Sequence, residues 1–226
     1  MNMSIYFLLI GIPLILGLWA QFRVSSTLKR YKKITVSSGL TGAEAAQQIL
    51  DASGIHGVKI ISSDGMMGDH YNPTDKTLHL SEEIFSGNSI AAVGVAAHEC
   101  GHALQDQESY ALLKLRSGLV PATQFSSQIL PFVILGGFLF HVTNLITLGI
   151  ACYAVLMLFQ LITLPVEFDA SARAKMILQK MGIIQSPLEV EGVYKVLNAA
   201  AWTYIAAFVA VLGNLIYLLL VRRNER

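Results

Sequence analysis

Residues 163–175 read TLPVEFDASARAK, and they set Glu167 and Asp169 directly after a long uncharged apolar run, Asn144 to Leu164. A run of that length crosses a hydrocarbon core of about 30 Å as a single α-helix. Two carboxylates at the edge of such a helix pose the question that organises the chain, because that edge is where it leaves hydrocarbon.

The composition agrees with a membrane protein. Of 226 residues, 54% are hydrophobic and only 14% charged, with a mean hydropathy of +0.55. Soluble domains rarely reach these values. A net charge of +1 and an isoelectric point near 7.8 give no global field for nucleic acid, so the basic residues that matter are local clusters. Cys100 and Cys152 lie in a helical motif and an apolar run, which is no disulfide framework.

Two further runs meet the length of a span: Ser4 to Phe22 and Ala199 to Val221. The first lacks a basic n-region and a small-residue cleavage site before Arg23, so it reads as an uncleaved signal anchor covering 1–22. A fourth run is weaker. Only Ile129 to Phe140 is strongly apolar, and it reaches spanning length by counting back to Gly118. The expected organisation is thus a signal anchor over 1–22, a water-exposed domain over 23–117, a membrane hairpin over 118–165, a re-entering helix and a connector helix over 166–198, and a last span with its tail over 199–226. Basic residues gather after the first span (Arg23, Lys29, Arg30, Lys32, Lys33), before the second (Lys114, Arg116) and after the third (Arg173, Lys175, Lys180). All three groups share one face, which the positive-inside rule makes cytoplasmic, although the RRNER tail then lies outside against that rule.

The polar segment starts with a capping box, Thr41 and Glu44, ahead of a helix that ends near Gly54. GVKII and KTLHL are β-prone runs around a Gly- and Asp-rich loop, so a hairpin or small sheet is expected there. A second helix starts at Asn88 or Ser89 and runs through IAAVGVAAHECGHALQDQ. Another helix carries Glu167 and stops near Gly182, and Ser186, Pro187 and Glu189 open the last one with a second capping box.

His98, Glu99 and His102 spell His-Glu-x-x-His inside the second helix. Residues four apart lie on one face a turn apart, so both imidazoles can take positions on a tetrahedral Zn²⁺. Glu99 can then act as general base toward a metal-activated water. Two histidines on a solvated face is the plainer reading, but the Ala- and Gly-rich surroundings suit a buried helix that others approach closely. Cys100 points away and reads as core packing.

A catalytic zinc takes three protein ligands. His141, in the turn between spans two and three, lies across the bilayer. His56 and His79 flank the β-prone runs as surface histidines. His70, in the turn-rich GDHYNP with Asp69 and Tyr71, is the best of the four. Glu167 competes with it: if runs two and three form a membrane hairpin, the chain returns at Pro165 on the side of His98 and His102.

AAVGVAAHECGHALQ followed by LPVEFDASARA resembles the bacterial membrane zinc metallopeptidases of the YugP family, over nearly the whole chain. More distantly, EFDASARA is similar to the Glu-x-x-Ala-Asp element of HtpX-type proteases and CAAX prenyl endopeptidases. That resemblance implies Glu167 as third zinc ligand and aligns Ala170 with the Ala. The Asp of the element falls on Ser171, a departure. Asp169 reads either as orienting a ligand histidine or as an ion-pair partner of Arg173, four residues on. Asp106, four beyond His102, either supports a ligand or sits in solvent.

The expected fold is a mainly α membrane protein of about four transmembrane helices, with a small α+β zincin-like domain beside the membrane. The expected activity is zinc-dependent endopeptidase action on membrane or juxtamembrane proteins, with one Zn²⁺ per chain, a protein or peptide substrate, the bilayer as environment and no nucleic acid. His70, Tyr71, Tyr110 and Tyr194 are the candidates to stabilise an oxyanion. Protein partners are not legible. Two rival readings are a partner-binding membrane protein with structural zinc, and a channel. Glu99 speaks against the first, since a structural site needs no base; the few uncharged polar residues within the spans speak against the second.

Overall fold

The computed structural model describes residues 3–64 and 68–224. The centre of the Gly- and Asp-rich loop and the last residues of the tail lie outside that range. Helix α1 (Met3–Tyr6), a π-helical stretch (Phe7–Gly11) and α2 (Ile12–Tyr31) come first. Then follow α3 (Gly42–Ala52), β1 (Lys59–Ser63), β2 (His70–Asn72), β3 (Thr77–Ser81), α4 (Glu82–Phe85) and α5 (Ile90–Gln107). Three long helices complete the chain: α6 (Ala111–Leu139), α7 (Thr143–Lys180) and α8 (Pro187–Asn224).

Among the described residues, four helices are long and apolar enough to cross a membrane: Phe7–Tyr31, Ala111–Leu139, Thr143–Lys180 and Pro187–Arg223. The weak run is one of them, helical throughout despite Pro121 and Pro131. The fold is therefore the expected mainly helical membrane protein with a small sheet. Two helices are longer than the sequence suggests. Span three and the helix carrying Glu167 are one element, α7, which passes through Pro165 without a break; the connector helix and the last span are likewise one element, α8.

The chain forms two compact units. One gathers Met1–Gln21, Lys114–Pro165 and Trp202–Arg226, within the described residues. Its helices carry exposed apolar side chains such as Leu14, Leu18, Phe132 and Leu135, as lipid-facing surfaces do. Trp19 and Trp202 meet edge to face at 5.3 Å within it.

The other unit comprises Phe22–Leu113 and Val166–Ala201. Its core is built around α5, whose Ile90, Ala91, Ala92, Val93, Ala96, Ala97, Cys100 and Ala103 are all buried. Small side chains let α3 lie close against α5 through Ala45, Ala46, Ile49 and Leu50, all fully buried. The local signals read from sequence are realised: Thr41 and Glu44 form a reciprocal capping box, and Ser89 accepts from the Ala92 N–H at the start of α5. At α8, Ser186 and Glu189 exchange bonds, and Glu189 also accepts from the Ser37 hydroxyl at 2.6 Å. Cys100 packs in the core with its thiol toward the Ala46 carbonyl.

The sheet has the order β1-β3-β2. β1 and β3, the two runs predicted as β-prone, pair in parallel, with Ile61 opposite His79. They are not a hairpin. β3 pairs instead with β2 in antiparallel register, His70 opposite His79 and Asn72 opposite Thr77. The stretch read as a turn-rich loop thus holds the edge strand β2.

Candidate metal centre

The site forms where α7 crosses α5. Gly101 makes that crossing possible. A Cβ built there would stand 2.6 Å from the Ala170 carbonyl oxygen, so only the bare glycine lets the two backbones come this close. At that separation Glu167, one turn before Ser171 on α7, reaches the two histidines of α5.

Its Oε2 lies 3.1 Å from His98 Nε2 and 3.6 Å from His102 Nε2. One donor atom from each of the three residues falls within 4.8 Å of the other two. The Glu167 and His102 side chains are 3% and 8% exposed. The imidazoles stand nearly perpendicular, 83° apart with centroids at 4.9 Å, and the Nε2 of each faces the same Glu167 oxygen. Two imidazoles and one carboxylate are the donor set that a catalytic Zn²⁺ takes, leaving a fourth position open. Among the described residues this is the one such cluster of three or more.

The far nitrogens of both histidines are held. Gln105 donates from Nε2 to the Val166 carbonyl and to Asp169 Oδ2, each at 2.8 Å. Its amide oxygen therefore faces His102 Nδ1, 3.0 Å away. An amide oxygen only accepts, so the proton belongs on Nδ1 and the Nε2 lone pair is left for a metal. His98 Nδ1 lies 3.1 Å from Ser171 Oγ. With Nε2 given to the cluster, Nδ1–H donates to that hydroxyl. The donor chemistry and the fixed tautomers both fit zinc.

Glu99 is buried beside the cluster at 7% exposure. Its Oε2 accepts from the Tyr71 backbone N–H at 3.1 Å, so strand β2 fixes the carboxylate. Burial pushes the Glu99 carboxyl above its ordinary value, while the His98 and His102 imidazoles pull the other way.

The remaining candidates occupy these places. Asp169 accepts from Arg173 Nε at 2.6 Å as well as from Gln105, the residue that faces His102. Arg173 in turn binds Glu108 at 2.8 Å. Asp106 accepts the Tyr71 hydroxyl at 2.7 Å and the Lys76 ammonium. Burial and that acid push the Tyr71 phenol well above its usual range. His70 bonds the Gly68 carbonyl through Nδ1 and stacks on His79 at 4.6 Å, outside the three-residue cluster. Gln105 escaped the sequence reading, although its spacing of three from His102 was there to be seen.

The chain matches, over residues 6–223, the family described as "Putative neutral zinc metallopeptidase". It is 47% identical over 211 residues, 93% of each chain, to the "Putative membrane protease YugP" of Bacillus subtilis (strain 168). No solved structure matches it.

Proposed function

The chain belongs to this family of membrane zinc metallopeptidases, and on that premise we propose that it is a zinc-dependent endopeptidase of the gluzincin kind. His98, His102 and Glu167 would hold one Zn²⁺ per chain. When bound, the metal would polarise the scissile carbonyl and make a water acidic enough to attack it. The observation that carries the reading is the convergence of two tautomer-fixed imidazoles and a buried carboxylate beside a buried acid outside that cluster, Glu99.

The chain's own residues then divide the work. Glu99, anchored by the Tyr71 N–H, takes a proton from the attacking water and hands it to the departing amine. Ser171 and Gln105 keep both imidazoles in the ligating tautomer, and Asp169 steadies Gln105. Arg173 offsets the charge of Asp169 and Glu108.

We assign the catalytic part to residues 23–117 with 166–198, and the membrane part to 1–22, 118–165 and 199–226. Glu167 follows Pro165 by two positions on a helix that is also a candidate span, which favours substrates that are membrane proteins or their juxtamembrane segments. The clusters Arg23 to Lys33, Lys114 with Arg116, and Arg173 to Lys180 support a cytoplasmic active site in a multi-pass protein.

The reading is tested with detergent-purified protein, a denatured casein and a peptide fused to a membrane anchor. Stripping zinc should end cleavage of both and zinc return should restore it. Cleavage that survives with no metal bound would refute the proposal.

A further inference from the structure

Helix α2 carries Arg23, Ser26, Thr27 and Arg30 at spacings of three, four and seven, so they share one face. With Tyr31 and Lys195 of α8 they line an open groove of about 300 Å³. The groove has a built floor. A Cβ on Gly192 would meet the Tyr31 ring at 2.8 Å, so the bare glycine lets α8 close onto that ring, which is 1% exposed. The Arg30 guanidinium stands 5.5 Å from the centre of the same ring. Ser26 Oγ donates its one proton to the Arg23 carbonyl at 3.1 Å, which leaves the Thr27 hydroxyl as the one to donate to a ligand. Guanidinium, ammonium and hydroxyl groups together suit the oxygens of a phosphodiester. Lys195 of the groove is held by Glu191, four residues before it on α8. Lys32, just past the end of α2, is paired with Glu83 at 2.5 Å.

Depth along the helices points to the source of that phosphate. Arg23 is the first charge after the uncharged stretch from Ser4 to Phe22. Trp19, one turn earlier on α2, meets Trp202, two turns after Lys195 on α8. Tryptophans gather at the membrane–water boundary, and Arg23 and Arg30 follow Trp19 by four and eleven residues on one helix, which points to the level of lipid headgroups.

We propose that this groove binds the phosphate of an anionic phospholipid headgroup. Native mass spectrometry of the detergent-purified full chain tests it, comparing retention of phosphatidylglycerol with phosphatidylcholine. Arg23→Gln/Arg30→Gln/Lys195→Gln is set against Lys29→Gln/Lys33→Gln/Lys180→Gln, which removes the same charge elsewhere, with zinc content and the melting transition as folding controls. The wild type and the second variant should prefer phosphatidylglycerol, and the first should lose that preference by roughly ten-fold or more. Equal loss in both variants, or no preference in the wild type, overturns the proposal. Groove-dependent binding of inorganic phosphate that displaces the lipid would assign the groove to a soluble anion and overturn it too. If the triple variant loses zinc or fails to fold, Arg30→Gln alone carries the comparison against Lys29→Gln.

Discussion

Gln105 joins His102 to Asp169: its amide oxygen faces His102 Nδ1 at 3.0 Å while its amide nitrogen donates to Asp169 Oδ2 at 2.8 Å. On the proposed reading, Gln105 thereby leaves Nε2 as the nitrogen of His102 that can bind a metal. Replacing Gln105 with Leu keeps its bulk and removes these two bonds together with the one to the Val166 carbonyl. Zinc affinity, measured by competition with a chromophoric chelator, is expected to fall by roughly ten- to a hundred-fold. Asp169→Asn, which keeps an oxygen toward Gln105, is expected to cost less.

Ser171 gives a complementary case. Ser171→Ala leaves His98 Nδ1 without its partner and is expected to weaken zinc by about ten-fold. Ser171→Asp, which installs the residue of the distant Glu-x-x-Ala-Asp element, is expected to restore zinc binding. The same chelator competition reads both variants.

Gly101→Ala places a methyl group 2.6 Å from the Ala170 carbonyl oxygen. Backbone cannot yield as a flexible side chain can, so α5 and α7 must separate, at a cost of about 1–3 kcal/mol. Because the same crossing brings Glu167 to the histidines, the variant is expected to lose thermal stability and zinc affinity together. Differential scanning fluorimetry with and without zinc measures both; stability lost with affinity unchanged would separate the crossing from the site.

Metal removal should destabilise the protein, since a ligand that binds only the folded chain stabilises it by mass action. Zinc at about a hundred times its dissociation constant contributes about 2.7 kcal/mol, so chelation is expected to lower the melting temperature and zinc to restore it. The effect should fade at acid pH, because metal ligands must be deprotonated and protons compete with zinc for them. Glu167→Ala is expected to abolish the zinc-dependent shift, and a shift that survives would remove Glu167 as a ligand.

Much of this was readable from sequence because it rests on period and local chemistry. The spacing of His98 and His102, the capping boxes at Thr41 and Ser186, and the candidacy of Glu167 as their partner all follow from residue type and order. Strand β2 was not legible: three residues, His70 to Asn72, carry no alternation, and their pairing is set by β3. Nor was the continuity of α7, since Pro165 reads as a break, yet a long membrane helix tolerates a proline where other groups satisfy the freed carbonyl. Asp169 shows why two sequence alternatives need not exclude each other: one oxygen serves both Arg173 and Gln105.

The central claim is that Glu99 performs the chemistry beside a metal it does not bind. The most direct measurement compares wild type with Glu99→Gln in one detergent preparation, quantifying zinc by mass spectrometry and cleavage of casein. The account expects equal zinc in both and cleavage in the wild type alone. Equal cleavage by the two proteins would contradict it.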